Sequence, residues 1–276
     1  MKISATIITY NEERNLPRAI ESLRCVDEIV VVDSGSSDRT VEIAEKLGAR
    51  VVECPWPGYA NQKNRAAEEA SNDWILSIDA DESLSESLEA EIWQLKKNGP
   101  TFDAYTLPRM AQYLGRWIRH SGWYPDRKVR LYHRAKAKWV GEFVHESVRV
   151  DGPLGHLESN LLHFTCSSLS EHLRTMDSYT TLAAQEMVTR GQSLGFARLL
   201  LDPPWTIFRT YVLKLGFSPA ASICSAASVV YRSMVFKCSE SELHVKCSRF
   251  DSSAPTVPSA FTDSCTNSPT HFAFAR

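Results

Sequence analysis

At 276 residues, 43% of them hydrophobic, the chain can bury a large core; the length suits one big α/β domain, or one domain with an appendage, and excludes a small disulfide-stapled module. A formal net charge of -2 supplies no global attraction to nucleic acid. The seven cysteines are odd in number, and Cys25, Cys54 and Cys166 lack the paired spacing of a zinc or redox motif, so reduced thiols are expected.

The opening MKISATIITYNEE has one lysine before a short apolar stretch that meets polar residues at Thr9 and Asn11, which reads as a buried strand over 3–9 and not as a signal peptide. Leu16, Ile20 and Leu23 then recur at helical spacing behind Asn15 and Pro17. EIVVV at 28–32 is a second strand, apolar at consecutive positions as when helices cover both faces of a sheet, and it ends at Asp33. Asp38 can cap a helix carrying Val41, Ala44 and Leu47, which Gly48 ends before a strand at 49–52. An alanine-rich helix over 60–70 leads to WILSI at 74–78, a fourth strand that runs into Asp79-Ala80-Asp81. Ser83 and Glu86 have capping-box spacing before a helix bearing Leu88, Ile92 and Leu95, which Gly99-Pro100 stops.

This alternation predicts, over 1–100, a doubly wound, mostly parallel α/β sheet with helices on both faces and a ligand crevice beyond the carboxyl ends of its strands. Over 101–217 the pattern is mixed and reads as the second part of the same domain. Strands are expected at 104–107, 129–133 and 147–150, and a helix begins near Ser168, where Glu171 completes a capping box. The most apolar stretch, 196–217, is too broken by charges and prolines to span a bilayer, so the chain is expected in the cytoplasm or peripherally on a membrane that this stretch could touch. Residues 218–276 hold thirteen serines and four cysteines without periodicity; a disordered tail is expected, better explained by a reading-frame change than by a new domain.

Three carboxylates fall at strand ends. Asp79 and Asp81, two positions apart, can reach one divalent cation such as Mg²⁺ or Mn²⁺, whose hard character suits oxygen ligands and leaves room for substrate phosphates. Asp-x-Asp before a helix is also ordinary turn chemistry. Asp33 closes a strand in VVDSGSSDRT, where Gly35 and the small serines let backbone approach a ligand; a plain turn explains Gly35 and Asp38 without needing a carboxylate at Asp33. From Arg109 to Lys138 there are nine Lys or Arg and one acid, Asp126, with Trp117, Trp123 and Tyr124 interleaved. Such a segment can hold an anionic acceptor or a diphosphate, while the acidic strand ends beside it argue against nucleic acid.

TIITYNEERNLPRAIESL, VDEIVVVDSGSSDRTVEIA and PGYANQKNRAAEEASNDWILSIDADE together resemble family-2 glycosyltransferases of the GT-A type. With GWYPDRKVRLYHR and the VHE triplet the chain is similar to the bacterial lipopolysaccharide core β-1,4-glucosyltransferase subgroup, over about 3–217. The resemblance implies a GT-A fold and a nucleotide-sugar donor, UDP-type, bound through Thr9, Tyr10, Glu12, Asp33, Lys63, Asn64 and Asp79. It implies a divalent cation held by Asp81 as the direct ligand with Asp79, and His145 as a candidate third ligand, beside the reading of His145 as a satisfied half-buried histidine. It implies inverting transfer to a lipopolysaccharide-core-like or other glycan acceptor at the cytoplasmic face. An inverting transfer needs a base apart from the metal pair, for which Asp126 is the first candidate, Glu146 the main competitor and Glu142 the next. A Pro-Asp turn or an ion pair with Arg127, Lys128 and Arg130 accounts for Asp126 equally well. The rivals are a nucleotidyltransferase, which would want a Gly-rich phosphate loop that TYNEERN lacks, and a non-catalytic carbohydrate-binding protein of the same fold.

Overall fold

The computed structural model describes residues 1–120, 122–141 and 146–166 and a few isolated positions between 168 and 209. The chain divides into two compact units, Met1–Ser168 and Leu169–Arg276, and every element below lies in the first. The expected helix from Ser168, the 196–217 stretch and the 218–276 tail fall largely or wholly outside the described residues.

β1 (Ile3–Thr9) is flanked on both sides by parallel partners, β2 (Glu28–Asp33) and β4 (Trp74–Asp79). That central place explains its apolar run: Ile3, Ala5 and Ile7 are all 0% exposed. β3 (Arg50–Glu53) adds to β2 in parallel. Between them run α1 (Leu16–Glu21), with a proline at its start, α2 (Thr40–Lys46) and α3 (Tyr59–Glu69). Asp38 Oδ1 accepts the Thr40 N–H at 3.0 Å, and Asp38 Oδ2 accepts that of Glu13 at 3.2 Å, so one carboxylate ties the start of α2 to the loop before α1.

After β4 come β5 (Glu82–Leu84) and α4 (Glu86–Asn98). The helix cap corrects the sequence expectation. Ser83 lies inside β5, paired with Leu162, and the residue that accepts the Leu88 N–H at 3.2 Å is Ser85. The long β6 (Ala104–Tyr113), the short β7 (Arg116–Trp117) and β8 (Asp126–His133) follow, then β9 (Ala137–Val140) and β10 (Ser147–Val150), which form a separate antiparallel hairpin, and finally β11 (Leu154–His156) and β12 (Leu161–Cys166). The main sheet runs β3-β2-β1-β4-β8-β6-β12-β5, with β7 and β11 attached to β6. It is parallel from β3 to β4 and turns antiparallel at β4/β8 and β8/β6.

Both faces of the parallel half are covered. Along β2, Val31 points into a core shared with Leu16 and Ile20 of α1, Ala44 of α2, and Leu88 and Ile92 of α4, whereas Val30 and Val32 point into one shared with Ala66 and Ala67 of α3, Tyr132 of β8 and Trp139 of β9. Each fully buried Leu or Ile contributes about 1.5–3 kcal/mol. Register then sets the site: Thr9 lies opposite Asp33 and Ile8 opposite Asp79, so the three strands release their chains side by side at one edge.

Candidate active site

At the β2 end, Asp33 is 0% exposed and its carboxylate is filled from nearby. Oδ1 accepts the Thr9 hydroxyl at 2.8 Å and the Ser36 hydroxyl at 2.6 Å; Oδ2 accepts the N–H groups of Gly35 at 2.9 Å and Ser36 at 2.7 Å. Gly35 has φ 85°, a left-handed conformation that glycine takes without a Cβ penalty. The turn therefore uses the Asp33 carboxylate fully, which corrects the expectation that turn chemistry has no need of it.

The β4 end is built differently. Asp79 accepts from two cations on distant elements: Lys63 Nζ of α3 lies 2.8 Å from Oδ1 and Arg130 Nη2 of β8 lies 2.6 Å from Oδ2. Lys63 also pairs with Glu146 Oε1 at 3.1 Å, and its ammonium sits 4.3 Å from the centre of the Trp139 ring. Arg130 also pairs with Glu82 Oε1 at 2.6 Å; Glu82 in turn lies 3.5 Å from Arg109 Nη1, and Arg109 Nη2 lies 2.7 Å from Asp126. Lys128 completes the run, 3.1 Å from the other Asp126 oxygen. Carboxylates and cations thus alternate from Glu146 through Lys63, Asp79, Arg130, Glu82, Arg109 and Asp126 to Lys128.

The buried members of this run need their partners. The side chains of Lys63 and Arg130 are 3% and 4% exposed, and Glu82 is 0% exposed. Burial alone would raise the Asp79 carboxyl, but the charges of Arg130 and Lys63 outweigh it and hold Asp79 far below the usual carboxylate range. Burial would likewise lower Arg130, and Asp79 and Glu82 reverse that, so its guanidinium stays protonated. Burial opposes ionisation of Asp126 too, yet Arg109, then Lys128, keep its carboxyl below the ordinary value. The cations expected around Asp126 are corrected in part: Arg127, the next residue along β8, points to the other face and donates to Glu158 and to the Leu157 carbonyl, while Arg130 is taken by Asp79 and Glu82.

Asp81 stands apart from this run. Its Oδ2 lies 3.2 Å from His163 Nε2 of β12, which the β5/β12 register places opposite Glu82. Burial would lower the His163 imidazole, but the Asp81 carboxylate raises it, and His163 Nδ1 is buried without a hydrogen-bond partner among the described residues. Next to them, the Arg18 guanidinium lies 3.4 Å over the Phe164 ring. The two carboxylates have different partners: β4 ends at Asp79 with both its oxygens paired to cations, and Asp81 pairs with His163 of β12. Among the described residues no three His, Cys, Asp or Glu side chains gather in a metal-ligand cluster.

A family model described as Glycosyl transferase family 2 matches residues 4–149. The chain belongs to glycosyltransferase family 2. It is 35% identical over 228 residues to an uncharacterized glycosyltransferase of Rickettsia felis, covering 78% of this chain and 81% of that relative. It is 33% identical over 218 residues to the lipopolysaccharide core biosynthesis glycosyltransferase LpsC of Rhizobium meliloti, covering 76% and 81%. Among solved structures, S. aureus TarS 1-349 in complex with UDP-GlcNAc is similar at a TM-score of 0.46 and 17% identity, over 87% of this chain and 92% of that one. Glucosyl-3-phosphoglycerate synthase of Mycobacterium tuberculosis, in complex with Mn2+, UDP and glucosyl-3-phosphoglycerate, is similar at 0.45 and 18%, over 70% and 81%.

As a family-2 glycosyltransferase with an α/β fold, the chain gathers part of its sequence-derived site and leaves the rest apart. Asp79, Lys63, Glu146 and Asp126 meet in one ion-pair run, and Thr9 and Asp33 meet at the neighbouring strand end. Tyr10 is half-buried just past β1. Glu12 anchors the start of α1: its carboxylate accepts the Asn15 amide at 2.9 Å, and its N–H donates to the Thr40 hydroxyl at 2.7 Å. Asn64 is spent on β9, exchanging hydrogen bonds with the Trp139 backbone at 2.9 and 3.0 Å. His145 and Glu142 lie outside the described residues. Sequence reasoning missed Glu82, Arg130, Arg109 and His163 as site members. Glu82 directly follows the Asp-Ala-Asp string, and Arg130 lies in the basic DRKVRLYH run beside Asp126 and Lys128, so two of the four left a trace.

Proposed function

We propose that this glycosyltransferase moves a sugar from a nucleoside-diphosphate donor, UDP-type, to a lipopolysaccharide-core-like acceptor with inversion at the anomeric carbon. The acceptor class is supported by the Rhizobium meliloti relative, named for lipopolysaccharide core biosynthesis. The observation that carries the donor side is the pairing of Asp79 with Lys63 and Arg130 beside Asp81, at the carboxyl edge of a parallel sheet where such folds bind nucleotides. Asp81 offers carboxylate oxygens that suit Mn²⁺ or Mg²⁺, and His163 Nε2, 3.2 Å from Oδ2, orients that carboxylate. Asp79, already neutralised by two cations, fits as an organiser of Lys63 and Arg130 rather than as a direct ligand. A divalent cation held by Asp81 would neutralise charge on the leaving diphosphate.

The acceptor hydroxyl must lose its proton to a carboxylate on the far side of the sugar. Of the two candidates, Glu146 is the less encumbered by cations. One ammonium, that of Lys63, joins it to Asp79, whereas Asp126 is gripped by Arg109 through two nitrogens at 3.0 and 2.7 Å and again by Lys128, which makes it a weak base. The test is a panel of nucleotide sugars, with and without Mn²⁺ or Mg²⁺, read by nucleoside diphosphate release. Metal-dependent release from one donor, lost in Asp81→Asn with the fold intact, is expected. Near-normal turnover of Asp81→Asn in metal-stripped buffer contradicts the metal assignment, and no release from any donor contradicts the enzyme reading.

A further inference from the structure

Glu82 is a fully buried carboxylate beside the site, and its geometry ties it to one residue in two ways. Its Oε2 accepts the backbone N–H of Asp79 at 3.0 Å, while its Oε1 accepts Arg130 Nη2 at 2.6 Å. The same Arg130 nitrogen donates to Asp79 Oδ2 at 2.6 Å. A closed ring results: Asp79 N–H to Glu82, Glu82 to Arg130, Arg130 back to the Asp79 side chain. The ring fixes both the backbone at which β4 ends and the direction of the Asp79 carboxylate. Arg109, 3.5 Å from the same Glu82 oxygen, adds a second cation, so the buried charge is compensated from two sides.

We propose that Glu82 is the positioning residue for Asp79, and through Asp79 for the donor-side cation Lys63. The inference rests on the reading of Asp79 and Lys63 as the donor side of the site. Two features separate this from generic core packing. A carboxylate can accept both the Asp79 N–H and the Arg130 N–H at once; a glutamine cannot, because its amide nitrogen must face one of the two donors. Lys63, 2.8 Å from Asp79 Oδ1, takes its place from the carboxylate that the ring orients. Displacing Asp79 therefore displaces the ammonium that would meet a diphosphate.

The experiment is a double-mutant cycle on the full chain, with UDP plus MnCl₂ as the probe, binding read by calorimetry and folding by thermal unfolding. Glu82→Gln is expected to weaken UDP binding about tenfold, the loss of one charge-assisted hydrogen bond. In the Asp79→Asn background the same change should cost less than about twofold, since the residue it acts through is already gone. Equal fold losses in both backgrounds would overturn the proposal and make Glu82 a structural residue. If Glu82→Gln does not fold, Arg130→Lys breaks the ring while keeping its charge and must show the same non-additivity, or the proposal fails. An unaltered protein that binds none of the uridine, thymidine or guanosine diphosphates would count against the donor reading, whereas normal binding with an additive cycle would count against Glu82 alone.

Discussion

Asp33 and Asp79 close the two parallel strands that flank β1, yet their carboxylates are satisfied in opposite ways. Asp33 takes four neutral donors, three of them from Gly35 and Ser36 in its own turn and the fourth from Thr9 on the adjoining strand. Asp79 takes two cations, Lys63 from α3 and Arg130 from β8, brought together only when helix, sheet and antiparallel extension are all in place. The first arrangement is encoded almost entirely within its own turn. The second holds charges that an anionic ligand can recruit. A carboxylate at a strand end is thus not one kind of object: its own turn fills one, and cations from distant elements fill the other.

The contrast breaks most visibly at Asp79. Asp79→Asn leaves two nearly buried cations short of a counter-charge, a change that costs about 3–5 kcal/mol, read as a large fall in thermal midpoint at neutral pH. The pH dependence has a definite sign. The Asp79 and Asp126 carboxyls are depressed in the folded state, so the stability they confer is present above their unfolded value, about 3.9, and drains away as pH falls below it toward the folded values. Thermal midpoints of the unaltered protein should therefore drop steeply below about pH 4, and Asp79→Asn should flatten that drop; an unchanged slope would mean that Asp79 is not held by its cations.

Asp33→Asn is the smaller break. The amide keeps one acceptor but turns a nitrogen toward donors, costing about 1–3 kcal/mol, with UDP affinity reduced only as far as the turn shifts. A loss of affinity far out of proportion to the stability change would show that Asp33 touches the donor directly. Gly35→Ala is the smallest of the three. A Cβ there meets nothing within 4 Å, so only the left-handed backbone, φ 85°, resists it. The cost should be about 1 kcal/mol, measurable in the midpoint of denaturant unfolding.

The same local-against-distant distinction explains what could be read from the chain alone. β1, β2 and β4 announce themselves as short β-branched runs because they are buried on both faces, and their alternation with helices revealed the parallel half of the sheet. The Asp33 turn sits within a few residues and was visible as a turn, although the work of its carboxylate was not. Ser83 was mistaken for the α4 cap because its pairing with Leu162 joins residues far apart in sequence, and nothing near Ser83 reveals a strand. His163 meets Asp81 through that same register, and Arg130 meets Asp79 and Glu82 across the sheet. Composition showed a basic stretch around Asp126 but not which cation faces which acid, since that depends on side-chain alternation along β8 and on the strands beside it.

The most direct test of the account compares Glu146→Gln with Asp126→Asn, measuring kcat with the donor identified by the nucleotide-sugar panel alongside UDP affinity. The account predicts that Glu146→Gln lowers kcat by about 10²–10⁴ while UDP binding changes little, and that Asp126→Asn keeps most of its turnover. Full turnover in Glu146→Gln together with a collapse of kcat in Asp126→Asn would contradict it and move the base to the other end of the ion-pair run.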